Sequence, residues 1–256
     1  MTTQLDPRNN RLLAGLPAAD YEKILPELEP YPLPLGETLH GSGRGMHHVY
    51  CPLDAIISMI YVMENGDSAE VGVIGYEGMA GVSLFMGGET TPNDAVVQHP
   101  GHSWRMSADT VTREFHRGGA FQLALLRYIQ AYMTQMSQTA VCNRHHSVDK
   151  QLCRWLLLSI DRLPSNRVHM THELIANMLG VRREGVTRAL GQLAEAGLVN
   201  NDRGRITVLD RPGLEARVCE CYDVVQKAYE RLLPPASPSP TSPSTEQQKR
   251  EPVAIQ

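Results

Sequence analysis

Residues 120–146 run for 27 positions without a glycine or proline and are rich in Leu, Ala, Gln and Met. Such a stretch predicts one long helix. It follows Gly118-Gly119, and the chain ahead of that pair has a different character. From Leu33 to about Arg105, short apolar stretches are separated by glycine and asparagine turns. Ala55–Met63, the turn Glu64-Asn65-Gly66-Asp67 and Ala69–Ile74 read as strand, turn and strand. Gly72, Gly75, Gly78, Gly81, Gly87 and Gly88 keep the elements short, which favours an antiparallel β-roll or barrel over a sheet with crossover helices. A short helix is expected near Ala18–Leu28.

Within the long helix, Leu125, Ile129, Tyr132, Met136, Thr139 and Asn143 alternate spacings of 4 and 3, the seam of a coiled coil. They are expected to form a homodimer interface. Leu126, Met133 and Ala140 add a second apolar strip beside the first. One strip can face the β-roll and the other a partner helix. A single stripe packed on the chain's own roll is the alternative.

The 256 residues suggest two domains, and a 42% hydrophobic fraction excludes a wholly disordered chain. No apolar run is long enough for an ordinary transmembrane helix, and MTTQLDPRNN shows no signal-peptide pattern. Five scattered cysteines fit reduced thiols and a cytoplasmic location better than a disulfide framework. A net charge of −4 argues against a nucleic-acid partner until it is divided by region. Residues 1–118 hold 7 basic and 15 acidic residues, whereas residues 119–256 hold 17 and 13. The acidic excess lies in the first half, and the second half is suited to meet an anion.

The most specific segment is THELIANMLGVRREGVTRALGQL, Thr171–Leu193. Thr171 can cap a helix whose buried side carries Leu174, Ile175, Met178 and Leu179, with small Ala176 where two helices cross. Gly180 stands where the turn needs positive φ. Val181, Val186, Ala189, Leu190 and Leu193 supply the inner face of a second helix, completing a helix-turn-helix pattern. On the outer face Arg182, Arg183, Glu184 and Arg188 suit base reading in a major groove, because Arg forks onto guanine and Glu accepts from cytosine. An exposed Glu184–Arg188 pair of no function is the bland alternative. Asn200–Leu209 reads as a hairpin, and Arg203, Arg205, Thr171 and Thr187 are candidate phosphate contacts on double-stranded DNA. Residues 234–256, rich in Pro, Ser and Thr at their start, are expected to be disordered. The expected domains are a roll at 1–118, a dimerisation helix and hinge at 119–148, a winged helix-turn-helix at 149–233 and the tail.

A glycine-punctuated roll, a long seam helix and a winged helix-turn-helix together resemble the Crp/Fnr superfamily of bacterial transcription regulators. The match is most specific at Arg183, Glu184 and Arg188, which fit the family's R-E-x-x-x-R, while Gly185 departs from its usual small or hydroxyl residue. The resemblance implies an α+β fold with a cupin-like jelly roll, a homodimer on two-fold symmetric DNA, and RNA polymerase as a further partner.

The signal is less legible. Cyclic-nucleotide-binding members carry a ribose-binding Glu and a phosphate-pairing Arg. The corresponding positions here are Gly81 and Asn93, with Asp94 adding a negative charge, so cyclic AMP is not expected. The N-terminal cysteine cluster of iron–sulfur members is absent, since the first cysteine is Cys51. Cys219 and Cys221 would point about 200° apart on a helix, so no metal site is expected. Haem stays open, with His47-His48, His99, His102, His116 and His145-His146 at no diagnostic spacing. An unknown small effector could instead occupy an apolar pocket between Val82, Leu84 and Phe85 of the roll and Met133, Met136 and Ser137 of the helix.

No enzyme is expected. His172-Glu173-Leu174-Ile175-Ala176 lacks the second histidine of a zinc protease motif, and Gly41-Ser42-Gly43-Arg44-Gly45 lacks the ending of a P-loop. Two rival readings remain: a nucleotide or haem sensor, and a protein-interaction module whose helix-turn-helix is only scaffold.

Overall fold

Asn65 closes the turn between the two longest apolar stretches of the N-terminal half, its Oδ1 accepting the Asp67 amide at 3.0 Å while Gly66 takes φ +89°. The turn joins β4 (Ile56–Val62) to β5 (Ser68–Ile74), the hairpin expected from sequence. The computed structural model describes residues 5–202 and 204–233, so the expected disordered tail, 234–256, lies outside the described residues.

Around this hairpin stand β1 (Glu29–Leu33), β2 (Thr38–His40), β3 (His48–Pro52), β6 (Asp94–His99) and β7 (Gly101–Ser107). They form two antiparallel sheets, ordered β1-β7-β3 and β2-β6-β4-β5. Ile56, Ile57, Val73, Ile74, Val97 and Met106 fill the roll's core. Two short helices, α1 (Arg11–Ala14) and α2 (Ala18–Ile24), precede β1. A helix absent from the sequence reading, α3 (Ala108–Arg117), follows β7. Ser107 opens it by accepting the Thr110 amide at 3.2 Å, and of its residues only Thr110, Val111 and Glu114 are buried.

The long helix is α4 (Gly119–His145), entered through Gly118 and Gly119, both at positive φ. It lies against β5 and the loop after it, where Gly72 and Gly78 leave gaps for its side chains. A Cβ on Gly78 would stand 2.2 Å from the Tyr128 ring, and one on Gly72 would stand 2.8 Å from the Tyr132 hydroxyl. These glycines make room for α4 as well as keeping the elements short. Tyr128 donates its hydroxyl to the Met79 carbonyl at 2.9 Å, and Gln135 Nε2 donates to the Val73 carbonyl at 2.8 Å.

This packing corrects the dimer assignment. Leu125, Ile129, Tyr132 and Thr139 are buried within the chain, and Met136 and Asn143 are half-buried. The strip one residue on, Leu126, Met133 and Ala140, is exposed. One residue is about 100° of helix rotation, and tyrosines packed into glycine gaps choose which strip turns inward.

After α4 come α5 (Val148–Ile160), β8 (Arg167–His169), α6 (His172–Leu179), α7 (Arg183–Glu195), β9 (Val199–Asp202), β10 (Arg205–Val208), α8 (Arg211–Arg217) and α9 (Glu220–Leu232). The hairpin β9–β10 gains a third strand, β8, in the order β8-β10-β9. Helix α9 turns back to pack along α4, and α6 packs on β5, so the C-terminal part is docked on both roll and long helix. No helix among the described residues is long and apolar enough to cross a membrane.

Candidate nucleic-acid interface

Thr171 caps α6, its hydroxyl accepting the Leu174 amide at 3.3 Å. Gly180 ends that helix at φ +64°, and the Val181 amide returns to the Ala176 carbonyl at 3.0 Å. That closure is the left-handed helix ending a glycine permits. Ile175, Ala176 and Leu179 face Val186, Ala189, Leu190 and Leu193 in the core, as expected. Leu174 departs from the reading, because it is exposed rather than buried, and Met178 is only half-buried.

The opposite face of α7 is open. Arg182, Arg183, Glu184, Thr187 and Arg188 are all exposed. Arg183 reaches across the turn to Glu173 at 3.8 Å, a loose pair that an incoming base could displace. Gly185 lies on the helix side nearest Val148, where an added Cβ would make ordinary contact at 3.7 Å.

Sequence reasoning missed a polar link behind this face. His172 Nδ1 lies 3.0 Å from Thr187 Oγ1, and its Nε2 lies 2.9 Å from Asn201 Nδ2. The amide donates to Nε2, so Nδ1 carries the proton and donates to Thr187. The Thr187 hydroxyl keeps its own hydrogen to donate outward. One imidazole thereby fixes the start of α6, the middle of α7 and the strand β9. Arg205 is exposed on β10, opposite Asp202, while Arg203 lies outside the described residues.

The pocket expected between roll and helix does not form from the residues named for it. Phe85 is buried against Phe115 of α3, with ring centroids 4.9 Å apart, and Val82 and Leu84 are half-buried against the core. Met133 and Ser137 instead line an outer groove of about 550 Å³ with Leu126, Ile129, Gln130 and Thr134, all from α4, while Met136 packs on the core. In the roll, Gly81 sits at φ +98°, and a Cβ there would stand 3.1 Å from His40 Nε2 and from the His48 carbonyl. A side chain there would be strained by the positive φ and tight against both neighbours. Asp94 accepts the Ser42 amide at 2.6 Å and lines a cavity of about 510 Å³ with Arg44 and His40. Burial holds His40 neutral by lowering its pKa to about 4.

One expectation about the cysteines needs correction. Cys219 is the residue before α9, with extended backbone at φ −83° and ψ 164°, so helical rotation does not separate it from Cys221. Cys219 and Cys221 come together with Cys142 and His146 of the α4 end. Cys142 and Cys219 lie 3.6 Å apart, and the hydrogen bond between them lowers the pKa of the Cys219 thiol and raises that of Cys142. Burial alone raises Cys51 to about 12.

With this geometry in view, comparison with known families is specific for the C-terminal part. Residues 150–217 match the family model of the Crp-like helix-turn-helix domain. The Crp-like domain spans α5 to α8 and thus contains the whole exposed face described above. Solved structures extend the likeness along the chain. FixK2 from Bradyrhizobium japonicum superposes with a TM-score of 0.62 at 14% identity, covering 75% of this chain and 98% of that one. TTHB099, a CRP-family transcriptional regulator from Thermus thermophilus, gives 0.61 at 17%, covering 74% and 95%. CLP, a c-di-GMP-responsive global regulator from Xanthomonas campestris, gives 0.59 at 15%, covering 76% and 100%. In fold the chain is of Crp/Fnr type: a β-roll, a long helix and a Crp-like helix-turn-helix. No match was found among curated proteins.

Proposed function

We propose that the chain is a sequence-specific DNA-binding transcription regulator that acts as a homodimer on two-fold symmetric sites. The observation that carries this reading is the face of α7, where Arg182, Arg183, Glu184 and Arg188 are exposed while Val186, Ala189, Leu190 and Leu193 hold the helix to the domain core. In this reading the four polar residues read base edges in the major groove. Thr187, Thr171 and the wing residues Arg203 and Arg205 contact phosphates and set the helix register.

The dimer contact is assigned to the outer strip of α4, with Leu126, Met133 and Ala140 at its centre. Leu126 and Met133 are 48% and 55% exposed, unusual for apolar side chains repeating along one helix face. The roll is read as a sensor for a small effector other than cyclic AMP, because Gly81 supplies no ribose-binding carboxylate and Asp94 opposes a phosphate. Docking of α6 on β5 gives effector binding a route to the helix-turn-helix by population shift.

Selection of bound sequences from a random duplex pool tests the reading. Enrichment of a motif with two-fold symmetry, its half-sites one helical turn apart, is the expected outcome. A pool that stays random through successive rounds contradicts it.

A further inference from the structure

The sulfurs of Cys142, Cys219 and Cys221 and a ring nitrogen of His146 all lie within 4.8 Å of one another. The four residues come from two places distant in sequence. Cys142 stands on the last turn of α4, and His146 is the extended residue that ends the helix, its amide donating to the Cys142 carbonyl. Cys219 and Cys221 flank Glu220 at the start of α9. From these residues we infer a mononuclear, tetrahedral zinc site of three thiolates and one imidazole, joining the end of the long helix to the last helix of the chain.

The distances fit the ion. Zinc bonds of about 2.3 Å to sulfur and 2.0–2.1 Å to nitrogen at tetrahedral angles place two sulfurs about 3.8 Å apart and a sulfur and nitrogen about 3.6 Å apart. Cys142 Sγ to Cys219 Sγ measures 3.6 Å, and Cys221 Sγ to His146 Nδ1 measures 3.6 Å. Four ligands this close cannot enclose an iron–sulfur cluster, whose own atoms hold its ligands farther apart.

The surroundings point the same way. His146 turns Nδ1 to the sulfurs and Nε2 toward the Glu220 carboxylate, 3.6 Å away. A carboxylate behind a metal-bound imidazole fixes its tautomer and orientation. Three thiolates and a neutral imidazole around Zn²⁺ carry one net negative charge. The neighbouring Arg154 is buried, donates one Nη1 bond to Thr139 at 3.3 Å and leaves Nε unpartnered. The centre would neutralise that guanidinium. Binding needs no oxidant: each thiol still protonated releases its proton to solvent as the metal–sulfur bond forms.

The site also has a place in the mechanism, an element that rests on the regulator reading. The chain leaves α4 through extended backbone at His146 and starts α5 at Val148, and α9 runs back along α4. Zinc would lock that junction, so its loss would loosen the hold of the long helix on the start of α9.

The test uses the full-length chain purified under reducing, anaerobic conditions. Elemental analysis should find one zinc per chain. After chelation, added Co²⁺ should produce thiolate-to-cobalt charge-transfer bands and tetrahedral d–d bands, both bleached by one equivalent of Zn²⁺. The double variant Cys219→Ser/Cys221→Ser should lose both the zinc and the spectrum, whereas Cys51→Ser and Cys153→Ser should keep them. A wild-type chain without retained zinc and without a tetrahedral cobalt spectrum overturns the site, whatever the variants do. A Cys142–Cys219 disulfide in freshly reduced protein, iron–sulfur absorbance, or a cobalt spectrum that survives the double variant does so equally. These readouts involve no DNA. Failure of DNA binding with zinc retained therefore speaks against the regulator reading and leaves the metal site standing.

Discussion

Arg162, just beyond α5, and Glu77 of the β-roll are buried against each other, with Nε donating to Oε1 at 2.7 Å. The same guanidinium donates to Gln135 of α4 at 2.9 Å and to the Leu158 carbonyl at 2.7 Å. One side chain thus ties together the roll, the long helix and the helix-turn-helix domain. Gly75 makes its approach possible, since a Cβ there would stand 2.7 Å from Arg162 Cγ. Burial works to lower the Arg162 pKa, but Glu77, with Tyr229 and Asp161 beside it, outweighs burial and the net direction is upward.

Glu77→Gln is expected to leave a buried guanidinium without its counter-charge. Loss of one partner of a buried pair costs about 3–5 kcal/mol, read as a lower urea midpoint. Replacing both residues, as in Glu77→Leu/Arg162→Met, should recover most of that loss.

Glu70 of β5 supplies a pH dependence. Burial raises its pKa from 4.5 to about 7, although Ser58 donates to Oε2 at 2.6 Å. The folded chain therefore keeps a proton that the unfolded chain releases between those values, so the stability it contributes is complete below pH 4.5 and lost as pH rises to 7. By linkage that window spans about 3 kcal/mol at most. Glu70→Gln should match the parent near pH 4.5, exceed it in stability at pH 8, and flatten the stability curve between.

How much of this was legible in the sequence differs by element. The long helix and the β4–β5 hairpin were readable because glycine and proline punctuate everything around them. The helix-turn-helix was readable because Ala176, Gly180 and the apolar positions answer to separate physical requirements. Helix α3 was not, since ADTVTREFHR buries little and shows only a capping serine. The inward face of α4 was also hidden. Both strips are apolar at seven-residue spacing, and the choice depends on Gly78 and Gly72, 50 and 60 residues earlier, making room for Tyr128 and Tyr132. The cysteine cluster depends on backbone before α9 that no local pattern predicts.

Gly185→Ala should stabilise the chain by about 1 kcal/mol, the helix-propensity difference between the two residues. The added methyl meets only Val148 at ordinary contact distance. Urea denaturation reads the gain, and an unchanged or lower midpoint would mean the recognition helix needs the glycine for closer packing.

On α4, Leu126→Glu and Met133→Glu should convert a dimer to a folded monomer in light scattering. Leu125→Glu, at a position with 0% exposure, should instead unfold the chain, which circular dichroism would report. Dimers that persist in both outer-strip variants would move the contact elsewhere.

The most direct test of the central claim is fluorescence anisotropy on the selected duplex and on a scrambled one, across a salt series, for Arg188→Ala and Arg205→Ala. Arg188→Ala should lose about 1–3 kcal/mol on the selected site and much less on the scrambled one. Arg205→Ala should weaken both alike and reduce the salt slope by about 1. Unchanged affinity in both variants, on a protein that is folded, would contradict the assignment of α7 and its wing as the DNA-reading surface.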